Sequence, residues 1–298
     1  MRTLNVIAMV VGITAMSVAQ DDPRKIDVYN LFPNVGTMIV EVEANDAGVP
    51  PGILGDCPAT LIHDRVLLTA GHCTRQSEFG TPPFIHVYFS FSLHVFDDRL
   101  TWIPVEAQAW HPSTLPCPPG SGCAGWGEPP RPGLSDIGLL LLPEDLPTPV
   151  KQLRPALLAP PGTLDNPWVQ AREQVIVGYG FRDSAPGGGS LPWSQWDGIR
   201  RYRSKLLDHV IDDRWAQWVY PTDTCFGDSG GPVFLGRPGN SGRERRYIVA
   251  VTSGFKGATC PNAAINARVD NEDVQRWIAQ QIRAWHCEAP DQSGIEDR

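Results

Sequence analysis

Short runs with the periodicity of β-strands recur along most of the chain, each bounded by turn residues. They lie at residues 37–42, 59–62, 65–69, 85–92, 137–142, 174–178, 232–235 and 247–252. Glycine and proline, at 29 residues each, suit the connections between such strands better than the interior of helices. The pattern therefore predicts a loop-rich all-β protein built as a sandwich or a barrel.

The C-terminal segment departs from this pattern, because residues 271–286 have helical spacing. Its apolar positions are Val274, Trp277, Ile278, Ile282 and Trp285. Acidic side chains stand in the first turn and basic ones near the end, as the helix dipole prefers. We expect one helix that docks its apolar stripe against the β-structure.

The first residues indicate export. Arg2 precedes a short, mostly apolar run at 6–18, and Ser17 and Ala19 frame a small-residue cleavage site. The run is too short for a stable membrane span, and no later run is long and apolar enough for one. We expect a signal peptide at 1–19 and a secreted protein, extracellular or periplasmic. A net charge of −8 argues against nucleic acid or anionic lipid as the main partner.

Seven cysteines in an exported chain predict disulfides with one cysteine left over. The spacing favours the pairs Cys57–Cys73, Cys117–Cys123 and Cys225–Cys260, with Cys287 unpaired. None of these spacings matches a zinc site, so neither a metal nor a cofactor is predicted. The oligomeric state cannot be deduced from the sequence.

The stretch TCFGDSGGPVF at 224–234 places Ser229 among three glycines, with Asp228 before it and an apolar run after it. A surface turn needs fewer glycines than this. One interpretation is a plain glycine-rich loop. The other is a nucleophile whose neighbouring N–H groups must point at a reacting oxygen.

Two further motifs supply a possible base and acid. LLTAGHC ends in His72 beside Cys73, and SDIGLLLL begins an apolar strand with Asp136. Either residue alone is more often structural than catalytic. Histidine, aspartate and serine nevertheless follow one of the known chain orders of the hydrolytic triad, which favours catalysis.

Together, these motifs resemble those of the trypsin/chymotrypsin-like serine proteases. The segment WHPS at 110–113, VIVGYG at 175–180 with Tyr179 in place of tryptophan, and the final helix extend the resemblance over residues 35–285. It implies two perpendicular six-stranded antiparallel β-barrels with a C-terminal helix and the active site in the cleft between them. The expected division is a signal peptide at 1–19, an N-terminal segment or short propeptide at 20–34, a protease domain at 35–286 and a tail at 287–298.

The resemblance also assigns roles. Ser229 is the nucleophile, His72 the general base and Asp136 the residue that orients it, while the N–H groups of Gly227 and Ser229 form the oxyanion hole. The implied function is a secreted serine endopeptidase that hydrolyses protein or peptide substrates through an acyl-enzyme. The alternative is a catalytically weak or inactive binding protein on the same fold.

Specificity is expected to follow from the pocket beside the serine. Asp223 stands where trypsin-like members carry the aspartate of the pocket floor, which implies cleavage after Arg or Lys. Gly254 leaves the pocket mouth open, with Ser253 in place of the usual tryptophan. Ala264 falls where trypsin has glycine, and its methyl group crowds a long basic side chain.

Activation is left open by the sequence. In this family Asp228 usually pairs with the new N-terminal ammonium of a cleaved propeptide, and cleavage after Lys25 would expose Ile26. The segment Ile26-Asp27-Val28-Tyr29 nevertheless lacks the glycines of the family motif. The alternative is that another group satisfies Asp228 and the enzyme folds active.

Overall fold

The computed structural model describes residues 25–42, 52–74, 84–97, 102–114, 134–182, 192–218, 224–236, 247–255 and 263–286. The expected signal peptide and C-terminal tail lie outside the described residues. So do Asp223 and the cysteines Cys117, Cys123, Cys260 and Cys287.

Most of the described chain is β-structure, as the spacing of the apolar runs predicts. The strands are β1 (Lys25–Ile26), β2 (Val35–Val42), β3 (Gly52–His63), β4 (Val66–Thr69), β5 (Phe84–Ser90), β6 (Ile103–Pro104), β7 (Ala107–Trp110), β8 (Gly138–Leu141), β9 (Leu157–Leu158), β10 (Glu173–Gly178), β11 (Arg201–Val210), β12 (Trp215–Trp218), β13 (Pro232–Leu235), β14 (Tyr247–Phe255) and β15 (Ala264–Arg268). The α-helices are α1 (Gly71–Thr74), α2 (Thr148–Lys151), α3 (Pro167–Gln170) and α4 (Glu272–His286). Short 3₁₀ turns occupy Thr163–Asp165 and Trp193–Gln195.

Six strands from the second half of the chain close into a barrel. Their order is β11-β10-β13-β14-β15-β12, and β12 pairs back to β11. Every pairing in this ring is antiparallel. Strand β1 adds to the outside of β11, and β9 adds in parallel to β14. The barrel leaves no unpaired edge within the ring, which removes the usual liability of an antiparallel sheet.

The first half of the chain forms a second antiparallel sheet in the order β6-β5-β2-β3-β4-β8-β7. Among the described strands no pairing joins its two ends, so it is a curled half-barrel beside a closed one. The all-β architecture and the two-barrel plan expected from the resemblance are confirmed, with this difference in closure.

One apolar cluster runs from the curled sheet into the closed barrel. It contains Leu68 and Leu139 from the sheet and Val177 and Phe234 from the barrel, all with no exposed surface. Because apolar area is shared across the interface, the two sheets are held as one unit rather than as independent lobes. The candidate site described below lies along this interface.

Helix α4 docks on the same cluster, as its spacing predicts. Val274 is fully buried and Ile278 nearly so, while the other apolar positions pack against the cluster partly exposed. The side chain of Asn271 caps the helix by accepting from the N–H groups of Asp273 (2.9 Å) and Val274 (3.2 Å). None of the helices in the described ranges combines the length and apolarity that a membrane span requires.

A disulfide joins Cys57 of β3 to Cys73 of α1. Cys225 is also disulfide-bonded, although its partner is not among the described residues. The first bond links the helix that carries His72 to the curled sheet.

Candidate active site

Helix α1 follows β4 directly and presents His72 toward the start of β8. Glycines at two positions allow this approach, because a Cβ on Gly71 would meet Thr114 at 2.6 Å and one on Gly138 would meet the Ala70 carbonyl at 2.7 Å. His72 Nδ1 lies 2.7 Å from Asp136 Oδ2, and the His72 main-chain N–H donates to Oδ1 at 2.7 Å. One carboxylate therefore fixes both the ring and the backbone of the histidine.

Asp136 is fully buried, and a third donor reaches it from the closed barrel. The Ser253 hydroxyl donates to Asp136 Oδ2 at 2.6 Å. Burial alone would raise the pKa of Asp136, but the charge of His72 and the hydrogen bonds from His72 and Ser253 outweigh it and hold the pKa below its usual value. The carboxylate thus stays ionised beside the imidazole.

Ser253 was missed as a site residue by the sequence reasoning, which placed it in the position of a substrate-facing tryptophan. Strand β14 shifts register against β15 between Thr252 and Gly254, so Ser253 occupies an irregularity in the ladder. This turns its hydroxyl toward Asp136. The serine in TSG was the available signal, but its direction depends on a bulge that spacing does not predict.

Ser253 also contacts the predicted nucleophile. The Ser229 hydroxyl donates to the Ser253 carbonyl oxygen at 3.4 Å. On its other side, the Ser229 carbonyl oxygen lies 3.7 Å from Cys73 Sγ, next to the histidine. Ser253 is therefore a common partner of Asp136 and Ser229, and it links the His72–Asp136 pair to the predicted nucleophile along the interface between the two sheets.

Two consecutive turns present Ser229. The Asp228 N–H donates to the Cys225 carbonyl (3.1 Å), and the Gly231 N–H donates to the Asp228 carbonyl (3.0 Å). The third residue of each turn is a glycine with positive φ, 85° at Gly227 and 87° at Gly230, which is the signature of type II turns. Ser229 is the second residue of the second turn.

The N–H groups expected to form the oxyanion hole are not used to build this loop. Within the described chain, neither the Gly227 N–H nor the Ser229 N–H donates a hydrogen bond. The adjacent Asp228 and Gly231 N–H groups close the two turns instead. The Gly227 and Ser229 N–H groups are thus left without a described acceptor.

Close packing explains the other glycines of the motif. A Cβ on Gly230 would lie 2.1 Å from Thr69 Oγ1 of the curled sheet, and one on Gly231 would lie 2.3 Å from the Val177 carbonyl of the barrel. The serine loop is therefore wedged between the two sheets. Any larger residue would force it away from His72.

Among the described residues, one group of potential metal ligands is close enough to share an ion, and it consists of Cys57, His72 and Cys73. The two sulfurs are bonded to each other in the disulfide, and the histidine is bonded to Asp136. The disulfide and the bond to Asp136 thus account for the closeness of these three side chains.

A family model described as Trypsin matches residues 53–278, which is more than half of the chain. The chain belongs to the trypsin family. Two solved structures are similar to it. HL collagenase is 19% identical with a TM-score of 0.56, and the match covers 84% of this chain and 94% of that chain. Human heparin-binding protein is 16% identical with a TM-score of 0.57, and the match covers 90% of this chain and 97% of that chain. At these identities the likeness shows the fold alone. No curated protein sequence matches the chain.

Within this trypsin-family fold, Asp228 occupies a cradle of main-chain groups. It is 3% exposed, and its carboxylate accepts from the N–H groups of Gly180 (2.7 Å) and Cys225 (2.9 Å). A Cβ on Gly178 or Gly180 would approach the carboxylate to 2.0 or 2.4 Å. The glycines on either side of Tyr179 thus make room for this side chain.

The N-terminal segment of this trypsin-family chain is fixed elsewhere. Ile26 pairs with Arg201 in β1 and is 40% exposed. The next residue, Asp27, is buried, and its Oδ2 accepts a hydrogen bond from Arg200 Nε at 3.0 Å. The same guanidinium donates to the Val35 carbonyl at 2.8 Å. Strand pairing and a buried ion pair therefore tie this segment to the barrel.

The residues expected to govern specificity are placed only in part. Gly254 lies opposite Ile265, and the buried Ala264 lies opposite Phe255, on the paired strands β14 and β15. Both positions adjoin the bulge that carries Ser253. Asp223, expected at the pocket floor, lies outside the described residues.

Proposed function

We propose that this trypsin-family chain is a serine endopeptidase with Ser229, His72 and Asp136 as its catalytic triad. The observation that carries the proposal is the shared partner, Ser253. Its hydroxyl bonds to the aspartate that holds His72, and its carbonyl accepts from the Ser229 hydroxyl. This brings a nucleophile, a base and an orienting acid together at one interface.

The reaction begins at the Ser229 hydroxyl. A rotation about the Cα–Cβ bond turns this hydroxyl from the Ser253 carbonyl toward Nε2 of His72. As Oγ attacks the substrate carbonyl carbon, Nε2 takes its proton, and the carbonyl oxygen becomes an oxyanion. The N–H groups of Gly227 and Ser229 stabilise that oxyanion; one such donor is typically worth about 3–4 kcal/mol.

Collapse of this intermediate breaks the C–N bond, and the His72 imidazolium gives its proton to the leaving amine. The acyl group then remains as an ester on Ser229. A water molecule attacks the ester carbon while His72 again takes a proton, and collapse returns that proton to the serine. Asp136 keeps the proton of the neutral ring on Nδ1, so that Nε2 presents its lone pair at the start of each half of the reaction, and it stabilises the ring when Nε2 is protonated.

The proposed substrates are proteins or peptides cleaved after Arg or Lys. The support is the position of Asp223, six residues before Ser229, where its charge would bind a basic side chain. Opposite charges about 4 Å apart attract by about 4 kcal/mol at an effective dielectric of 20. The methyl group of Ala264 limits the width of the same pocket. Profiling against a peptide library, with Asp223→Ser as the comparison, tests this assignment.

We further propose that the protein is exported and needs no cleavage after Lys25. Export is supported by the predicted signal peptide at 1–19 and by the disulfides. Independence from cleavage is supported by the main-chain donors that already bond to Asp228 and by the pairing of Ile26 in β1.

The second candidate is a binding protein on the same fold. It draws on the likeness to a protein named for binding heparin. Heparin is a polyanion, however, and this chain has a net charge of −8, so the two would repel. We therefore favour the hydrolase.

Covalent labelling with a fluorophosphonate separates the two candidates. The wild type should label at Ser229, and the variants Ser229→Ala and His72→Ala should not. Peptide mapping of the labelled protein identifies the modified residue. A wild type that folds but does not label would contradict the hydrolase and support a binding protein.

A further inference from the structure

The main chain on both sides of Asp136 is held by the segment that follows β7. The Ser135 N–H donates to Ser113 Oγ at 3.0 Å, and the Ser135 carbonyl accepts from Thr114 Oγ1 at 2.6 Å. The His111 N–H donates to the Ile137 carbonyl at 2.8 Å. These bonds fix the direction in which the intervening aspartate projects.

A further contact comes from the closed barrel. Arg214, in the turn between β11 and β12, donates from Nη1 to Ser135 Oγ at 2.7 Å. From Nη2 it donates to Asp273 Oδ2 of helix α4 at 3.0 Å. Its side chain is only 14% exposed. One guanidinium therefore joins the loop of the catalytic aspartate, the barrel and the C-terminal helix.

The turn that carries Arg214 is itself well fixed. Asp212 Oδ1 accepts from the N–H groups of Arg214 (2.8 Å) and Trp215 (2.9 Å). The Arg214 carbonyl accepts from the Arg268 N–H at 2.7 Å. Because the turn is held in place and the planar guanidinium offers few alternative hydrogen-bond geometries, Arg214 can fix the position of Ser135.

The helix end of this link is also held. Asp273 lies in the first turn of α4, where the helix dipole favours a negative charge. Asp273 Oδ2 lies 3.4 Å from His111 Nε2, and the His111 ring packs edge-on to Trp277 at 5.4 Å between centroids. The buried side chains of α4 keep Asp273 in place against the core.

We propose that Arg214 is a positioning residue for the reaction, acting through Ser135 on the direction of Asp136. The proposal rests on the proposed function. Without Arg214, the loop keeps its bonds to Ser113 and Thr114, and Asp136 keeps its bond to Ser253, but Ser135 loses its bond to the β11–β12 turn of the barrel. Asp136 then holds His72 less accurately, which lowers both the turnover rate and the proton affinity of the imidazole.

A merely structural role predicts something different. If Arg214 only attaches α4, its loss should lower the melting temperature and leave the chemistry unchanged. Arg276 provides the matched control, because it also pairs with Asp273, at 3.7 Å, but is 60% exposed and makes no described contact with Ser135. Each of the variants Arg214→Gln and Arg276→Gln removes one cation from the Asp273 carboxylate.

The experiment measures kcat, KM and the pH dependence of kcat/KM on a small ester for the wild type, Arg214→Gln, Ser135→Ala and Arg276→Gln. We expect kcat to fall about tenfold in Arg214→Gln and Ser135→Ala with KM unchanged, because misplacing a catalytic group by about 1 Å can cost about 100-fold and these variants should move Asp136 by less. Their apparent pKa for the base should fall, and Arg276→Gln should match the wild type. The double variant Ser135→Ala/Arg214→Gln should lose no more than either single variant, because both remove the same bond.

Proton NMR gives a readout that is independent of turnover. The proton between His72 Nδ1 and Asp136 should give a low-field resonance in the wild type that shifts or broadens in Ser135→Ala. That variant keeps every main-chain bond of the loop, so it remains informative if Arg214→Gln does not fold. An unchanged resonance and pH profile in Ser135→Ala, with an active wild type, would overturn this inference alone. A wild type without esterase activity or labelling would overturn the proposed function as well.

Discussion

Two buried carboxylates are linked to the predicted nucleophile, Asp136 through Ser253 and Asp228 as the preceding residue, and they are held in different ways. Asp136, fully buried, accepts from the side chains of His72 and Ser253 and from one main-chain N–H. Asp228, 3% exposed, accepts in its described bonds from the main-chain N–H groups of Gly180 and Cys225. Both side chains are buried; the described partners of the first include the His72 imidazole, and those of the second are main-chain N–H groups.

The difference in hydrogen-bond partners indicates different roles for the two aspartates, one in the reaction and one in the conformation of the serine loop. A carboxylate bonded to an imidazole responds when that ring gains a proton, so Asp136 can stabilise a charge that appears during the reaction. A carboxylate bonded to peptide N–H groups has partners that never change protonation. Because a buried charge without partners is costly, Asp228 instead keeps the serine loop folded around it. The two aspartates can therefore be distinguished by experiment.

The largest expected effect is that of Asp136→Asn. The amide cannot hold the neutral imidazole in the same tautomer, and kcat should fall about 10⁴-fold, as the loss of this charge does in Ser-His-Asp enzymes generally. Turnover of a peptide ester measures the loss, and a melting curve checks that the variant is folded. A fall of less than tenfold would mean that Asp136, like Asp228, maintains the local conformation and does not take part in the reaction.

The second expected effect concerns the cradle of Asp228. In Gly180→Ala the new Cβ would lie 2.4 Å from Asp228 Cγ, so the carboxylate and the turn that carries Ser229 must shift. We expect the rate of fluorophosphonate labelling to fall about 100-fold, because reacting atoms tolerate only small displacements.

Tyr179→Phe is the control for the cradle. It removes the hydroxyl that donates to the Ser92 carbonyl at 2.8 Å but leaves the glycines on either side unchanged. It should lower the melting temperature and keep the labelling rate. Equal labelling losses in both variants would mean that general destabilisation, not the cradle, explains the effect.

The features that depend on residues close together in the sequence could be predicted from it. The spacing of apolar residues places a helix at 271–286, and the structure has it at Glu272–His286. The three motifs select His72, Asp136 and Ser229, which the structure brings to one interface. Local spacing is sufficient here because each of these features depends on neighbours along the chain.

Other features depend on contacts between distant segments and could not be predicted in this way. The direction of Ser253 follows from a register shift against β15. The contact of Arg214 with Ser135 requires knowing that two turns far apart in sequence meet. The buried pair of Asp27 and Arg200 likewise joins residues 173 positions apart. Ser135 and Ser253 stand in recognised motifs, but the motifs do not indicate which distant side chains these two residues contact.

A smaller effect is expected from acid. Burial raises the pKa of Asp136, but His72 and the hydrogen bonds lower it further, so the folded-state pKa lies below the unfolded value of about 3.9. Its ionisation therefore stabilises the fold above that pH, and the stabilisation is lost as the pH falls through the folded-state pKa. The advantage in melting temperature of the wild type over Asp136→Asn should shrink below about pH 4. An advantage that is constant from pH 7 to acid would contradict this coupling.

The smallest effect on fluorophosphonate labelling is expected from Lys25→Gln. An unchanged labelling rate would show that Asp228 does not need a new N-terminal ammonium. If Asp228 required a new N-terminal ammonium, blocking cleavage after Lys25 would leave the serine loop unformed and the protein inert. The main-chain donors of Gly180 and Cys225 already bond to that carboxylate. Ile26 is paired in β1 beside the buried Asp27, so its release would break strand pairing that the barrel uses. We therefore expect Lys25→Gln to label at the wild-type rate, with mass spectrometry of both active proteins showing the bond after residue 25 intact. Labelling that appears only after that bond is cut would instead give Asp228 an ionic partner like that of Asp136 and remove the distinction between the two aspartates.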